Sequence, residues 1–383
     1  MTASILGIGT AVPATRLMQG DVRDLLAAQP GLDRRARRLL GAAFGAAAID
    51  TRYTVLGELG GGAPSGLSLS DGTPVLRVPS TGERNAEYRR VVPALFAEAA
   101  RDALARSGVA PAEVTHVITV SCTGMFAPGP DYLLVRDLGL SPSTERYHLG
   151  FIGCAAAIPG LRAASRITAA QPEAVVLVVT AELCSLHIRS SSDPEQIVAA
   201  SVFADGAAAA VVSADPTRRS GPRLDLEGFG TRLTDDGEDD MVWTVGDEGF
   251  EMTLTAQVPR IIGREIEAVA ADLFGGADAV DAWAVHPGGR SILDRVEDGL
   301  GLSPEALSDS RTVLREYGNM SSATILFVLQ RMMAGERTEG ERLAILAFGP
   351  GLTIEAARAT VRGVAPSVTA SKRRDLVAGA NRR

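Results

Sequence analysis

The sequence predicts an α/β fold in layers, in which one βαβ-containing unit is used twice. Three observations predict it. THVITVSCTG (115–124) and AVVLVVTAEL (174–183) are β-branched and nearly without charge, the composition of strands buried on both faces. The stretch from Glu83 to Ser107 carries good helix formers with apolar residues at helical spacing, so strands alternate with helices. A weak internal repeat is also visible. The strand that ends at Cys122 resembles the one that ends at His286, 164 positions later, and the Gly-Cys154 helix start resembles the Gly-Asn319 start, 165 positions later. Two offsets this close suggest a copied unit, with the ends of both halves brought to one central site.

Taken in order, MTASILGIGTAVP reads as a first strand and turn. It lacks the basic start and long apolar stretch of a secretory signal, so a cytoplasmic protein is expected. Residues 56–82, rich in Gly, Ser and Pro, read as an exposed loop. The helix from Glu83 and the two buried strands follow. FADGAAAAVVSADP closes a first half near Asp215, TRRSGP (217–222) reads as a surface link, and RLDLEGFG opens the second half. The expected organisation is an N-terminal half over 1–216, a C-terminal half over 217–365, and a polar, basic, aperiodic tail over 366–383 expected to be disordered.

Composition excludes several classes. The chain has 383 residues, 46% of them hydrophobic, which is enough for a large core. No run of about 18 uncharged apolar residues occurs, so no membrane span is expected. Net charge is −8 and no helix interleaves arginines with aromatics, which gives a nucleic-acid partner no support. The only lysine, Lys372, lies in the tail, arguing against a Schiff-base or Walker-type phosphate lysine. Cys122, Cys154 and Cys184 are the only cysteines, too few and too far apart for a disulfide framework.

Three short segments carry the chemistry: GFIGCAAAIPGLR around Cys154, AVHPGGRSIL around His286 and EYGNMSSATILFVL around Asn319. Each puts one reactive or amide side chain beside glycine at the edge of an apolar run, where a strand or tight turn can hand over to a buried helix. Cysteine is the strong nucleophile of the set. A helix start after Gly153 would favour its thiolate through the macrodipole and the unpaired backbone N–H groups. His286, in a Pro-Gly-Gly turn that can expose an imidazole, would take the thiol proton in its neutral form. Asn319 cannot titrate, and its amide hydrogens suit a developing oxyanion, although asparagine is also favoured as the cap of the helix that follows. Read blandly, Cys154 is one more small buried residue and His286 a turn histidine. Together the three suit acyl transfer through a thioester.

These motifs, with FGPGLTIE from Phe348 to Glu355, resemble the four signatures of the chalcone synthase family, the type III polyketide synthases of the thiolase superfamily. The resemblance spans roughly residues 3–360, in the right order and spacing. It implies the thiolase-like duplicated αβαβα layered fold and a homodimer. It further implies iterative decarboxylative condensation of malonyl-CoA or methylmalonyl-CoA onto an acyl-CoA starter, with no cofactor beyond the CoA thioester substrates. On that resemblance Cys154 carries the growing acyl chain. His286 and Asn319 share the thioester oxygen and stabilise the enolate left by decarboxylation, with no metal required.

The same resemblance assigns cavity residues. Phe203, in VFADG, aligns with a phenylalanine that guards the junction of tunnel and active site. Met252, in GFEMTL, takes the second guard position, where plant members usually carry phenylalanine. Cys122, Cys184 and His187 map onto positions that line the elongation cavity and are threonines in the plant enzymes, and Ser321 of GNMSSA is counted with the substrate-binding residues. A zinc site among the thiols and His187 lacks any CxxC or HxxxH pairing. Cys122 as an extra nucleophile is a further hypothesis. Two departures stand out. Plant members place basic residues that contact the CoA phosphates in the helix before the motif AIDTRY, whereas this chain has GAAFGAA (41–47), with Arg34, Arg35, Arg37 and Arg38 upstream as substitutes. That leaves delivery by CoA or by a carrier-protein thioester open. Ala127, next to Phe126, stands where a methionine of the neighbouring subunit reaches the family's cavity.

A smaller intruder at Ala127, the methionine at Met252 and the resemblance of GDEGFEMTL to bacterial alkylpyrone and alkylresorcinol synthases that handle fatty acyl starters favour a long aliphatic starter, and Trp243, aligned near a glycine that enlarges the plant cavity, cuts the other way. The expected product is an alkylpyrone or an alkylresorcinol. The nearest rival is a single-round ketoacyl-carrier-protein synthase III-like enzyme, which uses the same Cys, His and Asn. A rival of another class is a non-condensing thiolase-fold assembly partner, whose expected signature, loss of one of the three, is not met. A cysteine hydrolase is disfavoured by the glycine-rich apolar setting of Cys154, which implies exclusion of water.

Overall fold

The computed structural model describes residues 2–62, 67–70 and 73–364. The expected tail over 366–383, with Lys372, lies outside the described residues, as does part of the 56–82 stretch. The N-terminal half runs β1 (Ala3–Ala11), β2 (Thr15–Met18), α1 (Gln19–Ala27), α2 (Arg34–Ala46), β3 (Thr51–Thr54), α3 (Thr81–Ser107), β4 (His116–Ser121), α4 (Pro130–Asp137), β5 (Glu145–Gly150), α5 (Ala157–Ala170), β6 (Val175–Leu183), α6 (Pro194–Val202) and β7 (Asp205–Ser213). The C-terminal half runs β8 (Arg223–Leu233), β9 (Met241–Gly246), β10 (Gly249–Leu254), α7 (Val258–Phe274), β11 (Ala282–Val285), α8 (Arg290–Leu300), α9 (Ser308–Tyr317), α10 (Thr324–Ala334), β12 (Arg342–Gly349) and β13 (Thr353–Arg362).

The main sheet has the order β5-β4-β6-β7-β1-β8-β13-β12-β11. Within it the same unit appears twice, as β1-β7-β6-β4 and β8-β13-β12-β11. In both copies the last pair is parallel and the other pairs are antiparallel. The copies join at a short seam, because β1 pairs with β7 along most of its length but with β8 only over Ala3, Ser4 and Ile5.

Side-chain alternation turns this sheet into layers. On β6, Val176 and Val178 pack with α5 and α10, whereas Val175, Leu177 and Val179 pack with α3. On β12, Leu343, Ile345 and Ala347 join the same central cluster, whereas Ala344, Leu346 and Phe348 face α7 and α8. The result is the αβαβα arrangement, with α5 and α10 between the two halves of the sheet. Burial follows position. α10 buries Thr324 to Leu329 without a break because it has strands on both sides, whereas the outer α8 buries only the stripe Ile292, Leu293 and Val296. Fully burying each such side chain is worth roughly 1.5–3 kcal/mol, so the central layer is the chief source of cohesion between the halves.

α3 starts at Thr81, slightly before the expected Glu83, because Ser80 and Glu83 form a reciprocal capping box. It lies directly on β1, where a Cβ on Gly9 would meet the Ala103 nitrogen at 2.2 Å. The stretch expected to be an exposed loop is partly built into the body of the protein: Leu56, Glu58, Leu67, Ser68 and Leu76 are buried. The Glu58 carboxylate accepts from the backbone N–H groups of Ser68 and Leu69, and Gln29 accepts from Leu76 N–H while donating to Pro74 O. Polar side chains that satisfy loop backbone are what make such burial tolerable, and a reading by Gly and Ser content overlooks them. Among the described residues no helix is long and apolar enough to cross a membrane.

The duplication places four positions at one spot. Cys122 directly follows β4 and His286 directly follows β11, while Cys154 precedes α5 and Asn319 precedes α10. The carboxyl ends of parallel strands and the starts of the central helices therefore converge, the usual location for a ligand site in a layered α/β fold.

Candidate active site

Cys154 sits in a 3₁₀ turn, Gly153–Ala155, just ahead of α5. Gly153 has φ +67°, and a Cβ there would lie 2.4 Å from Pro350 Cδ. Only glycine lets the GFIGC turn pass beneath the FGPGL turn, and Pro350 thereby becomes part of the wall around Cys154. The thiol is buried, which pushes it up to about 11, with Ser321 and Asn319 pulling the other way. Such a rise corresponds to roughly 3 kcal/mol, more than the ~0.3–1 kcal/mol a helix dipole supplies. The resting protein therefore holds a thiol, not the thiolate that the helix start alone would favour.

His286 is 1% exposed, and neither ring nitrogen has a hydrogen-bond partner among the described residues. Burial pushes its pKa down to about 3, so the imidazole is neutral, and it holds a proton only beside a negative charge that offsets the desolvation, such as a thiolate formed at Cys154. Leaving a buried polar group unpaired costs about 1–3 kcal/mol, and such an orphan calls for a functional explanation. Asn319 is held from both ends. Its Oδ1 accepts from Ser321 N–H at 2.9 Å, its Nδ2 donates to Gly288 O at 3.2 Å, and Cys154 Sγ lies 4.0 Å from Nδ2. The side-chain oxygen thus caps the turn into α10, one amide hydrogen goes to Gly288 O, and Cys154 Sγ lies 4.0 Å from both Nδ2 and Oδ1, so capping leaves the second amide hydrogen for donation. Its backbone pairs with the 202–204 segment on both sides, through Asn319 N–H to Val202 O and Ala204 N–H to Asn319 O.

Cys154, His286 and Asn319 line one cavity of about 540 Å³. Cys122, Cys184 and Ser321 line, with Cys154, a second space of about 20 Å³, and Cys184 and His187 line a third of about 60 Å³. Phe203 and Met252 stand in the walls of all three, so the two expected guards partition the cavity system. His187 does not reach the cavity of the three motif residues. Its ring stacks on Phe250 at 4.3 Å, Nδ1 accepts from Phe250 N–H at 3.0 Å and Nε2 donates to Thr123 O at 2.8 Å. Burial pushes it down to about 4. With both nitrogens engaged, the neutral ring fastens the β9–β10 hairpin to the loop that carries Cys122. Trp243 does the same by donating from Nε1 to Cys122 O at 2.6 Å.

Sequence reasoning missed Glu182. Fully buried at the end of β6, its carboxylate accepts from Cys122 Sγ at 3.3 Å, Cys122 N–H at 3.0 Å, Thr123 Oγ1 at 2.9 Å and Ser322 Oγ at 2.5 Å. Its signal was a lone carboxylate inside the otherwise apolar AVVLVVTAEL. Burial and the neighbouring Glu182 push the Cys122 thiol well up, so Cys122 serves as a hydrogen-bond donor and is poorly suited to be a second nucleophile. Arg52 was missed as well. It is buried, donating from Nε to Gln19 Oε1 at 3.0 Å and from Nη1 to Ala200 O and Phe203 O at 2.8 Å, and so it fixes the segment that brackets Asn319.

The expected substitutes for a basic helix are not at the cavity. α2 meets it with Ala43, Ala46 and the following Ala47, whereas Arg34, Arg35, Arg37 and Arg38 lie at the other end of the helix, on the order of 10 Å along its axis. The arginines in the cavity lining are Arg260 of α7 and Arg290 and Arg295 of α8. Ala127 is exposed on the loop between β4 and α4, and it lines none of the three spaces.

Comparison with known proteins places this geometry. The family model for chalcone and stilbene synthases, N-terminal domain, matches residues 1–216, and that for the C-terminal domain matches 232–365. A type III polyketide synthase 10 of Oryza sativa subsp. japonica is 34% identical over 382 residues, covering 92% of this chain and 91% of the rice protein. A probable polyketide synthase 1 of Dictyostelium discoideum is 31% identical over 360 residues, and the chain spans only 11% of that protein's length. The crystal structure of the C-terminal type III polyketide synthase domain of Steely1, a type I/III hybrid from Dictyostelium, superposes with a TM-score of 0.86 at 30% identity, covering 95% of this chain and 100% of that domain.

Proposed function

This chain belongs to the chalcone and stilbene synthase family of type III polyketide synthases, and so to the condensing acyltransferases; from that premise we propose an iterative synthase that works through Cys154. The Cys154 thiol gives its proton to His286, and the sulfur attacks the carbonyl of an acyl-CoA starter. The C–S bond to CoA breaks, and CoA leaves as its thiol with that proton. A malonyl-CoA or methylmalonyl-CoA then loses CO2, and the electron pair of the broken C–C bond stays as an enolate. Donors from His286 and Asn319 hold the enolate oxygen. The carbanion attacks the acyl-Cys154 carbonyl, forming a C–C bond and breaking the C–S bond to Cys154; the extended chain is now a thioester of the extender's CoA, and its transfer back to the Cys154 thiolate, with release of CoA, opens another round.

The observation that carries this reading is the cavity itself. A buried thiol, an imidazole without partners and an amide fixed in orientation share about 540 Å³, a volume within the ~300–1,000 Å³ usual for small-molecule sites. The methionine at Met252 supports a fatty acyl starter and an alkylpyrone or alkylresorcinol product. A homodimer is supported by β5, which ends the sheet and has Tyr147 and, just beyond it, Phe151 exposed, with Met125 and Ala127 exposed on the loop after β4. An unpaired edge of this kind is a template for a second strand.

The test is mass spectrometry of products from labelled malonyl-CoA and acyl-CoA starters of four to sixteen carbons, alongside Cys154→Ala. Cyclised triketides or tetraketides that vanish in the variant are expected. A single ketoacyl extension, obtained only when a carrier protein delivers the chain, would replace this reading with the single-round rival.

A further inference from the structure

We propose that Arg260, Arg290 and Arg295 hold the phosphates of the CoA thioester at the exposed side of the cavity, so that anion recognition sits on α7 and α8 and not on α2. The inference rests on the CoA-dependent reading above and deepens it. The cavity that contains Cys154 and His286 is lined by all three arginines, while α2 offers it only alanine side chains.

Two of the three cations are uncompensated. Among the described residues Arg295 has no carboxylate partner, and Arg260 touches only Gln257 Oε1, at 3.4 Å. Arg290 lies 3.4 Å from Asp294, whose carboxylate is already bonded to Arg311 at 2.7 Å. In a chain of net charge −8, unpaired guanidiniums beside the cavity of Cys154 mark a place for a mobile anion. The packing of α7 on α8 brings them together. Gly263, one turn beyond Arg260, leaves room for the Arg295 stem, since a Cβ there would meet Arg295 Cδ at 3.2 Å. The first turns of both helices, at Val258 and Arg290, also line the cavity, and no side chain caps α8. The uncapped start of α8 adds its N-terminal dipole to the same positive field.

The ligand chemistry follows. A thioester that reaches Cys154 through a long uncharged arm and ends in a diphosphate and a 3′-phosphate has its anionic end where guanidiniums can grip phosphate in a forked geometry. A carrier-protein arm offers a single phosphodiester at that place.

The test is calorimetric binding of CoA, 3′-dephospho-CoA and pantetheine to the full chain, to Arg260→Ala/Arg295→Ala and to Arg34→Ala/Arg35→Ala. Loss of a hydrogen bond to a charged group predicts about tenfold weaker CoA binding for each arginine, hence about a hundredfold for the first double variant. Pantetheine should bind that variant and the parent alike, and the α2 variant should bind CoA normally. CoA binding unchanged in Arg260→Ala/Arg295→Ala, or pantetheine binding lost in parallel, would overturn the assignment. So would a parent that ignores CoA yet accepts malonyl groups from a carrier protein. CoA binding that depends on the arginines in a protein that condenses nothing would leave the assignment standing and sink the synthase reading instead.

Discussion

The two halves of the molecule put different groups at the same two places. After β4 comes Cys122 and after β11 comes His286; before α5 comes Cys154 and before α10 comes Asn319. At the first pair of positions the contrast is in hydrogen bonding. Cys122 donates to Glu182 and lies 3.6 Å from Ser321 Oγ, whereas both nitrogens of His286 have no partner among the described residues. The half that carries His286 also has no counterpart of Glu182, since β12 holds no carboxylate along its length. A duplicated backbone therefore supplies one closed and one open polar position. The open one is free to act on a ligand, because a group whose hydrogen bonds are already made must break them to do chemistry.

The contrast can be broken in four ways. The largest effect is expected from Cys154→Ala: starter-labelled protein, measured by intact mass, should fall by about a thousandfold or more, since no other nucleophile is placed to take the acyl group. Label that persists on Cys122 would collapse the distinction between the two thiols. Next, Asn319→Asp keeps the shape and turns a donor into a repelling carboxylate. Release of CO2 from malonyl-CoA should drop roughly 10²–10³-fold, the range for loss of one oxyanion donor, and normal decarboxylation would remove Asn319 from the proposed chemistry.

Alkylation by iodoacetamide sharpens the comparison further. Burial raises all three thiols, Cys154 to about 11 and Cys122 and Cys184 well above their ordinary value, so Cys154 should be labelled first, as peptide mapping would show. Thiolate is the reactive form, and a raised pKa means its fraction grows with pH, so the rate should climb about tenfold per pH unit below that pKa. A plateau near neutral pH would reveal an imidazolium partner that stabilises the thiolate. The smallest effect is expected from Cys122→Ser. The hydroxyl can still donate to Glu182, so starter loading should persist while the product distribution shifts by a few-fold, because the second space beside Cys154 changes shape. An identical product profile would reduce Cys122 to a packing residue.

Much of this was legible in the chain itself. The buried strands at 115–124 and 174–183, the near-equal offsets between the halves, and the three motif residues were all readable because each is encoded locally, by glycine turns at the edges of apolar runs. Phe203 and Met252, read as guards from resemblance, line the cavity. What stayed hidden depends on neighbours far apart in sequence. Glu182 meets Cys122 from 60 residues away and Ser322 from 140, and a strand pattern shows only one acid in an apolar run. His187 was read as a liner of the elongation cavity, yet it spends both nitrogens on Thr123 and Phe250 and lines a side space. The arginines upstream of GAAFGAA looked available for phosphate, but helix geometry carries them past the cavity, and α7 and α8 bring others. By itself, then, the sequence determined the family, the duplicated layers and which three side chains meet. The tertiary structure alone decided their protonation, their free hydrogen bonds and the charge at the cavity mouth, because desolvation and hydrogen-bond satisfaction are set by whatever packs alongside, not by the adjoining residues of the chain.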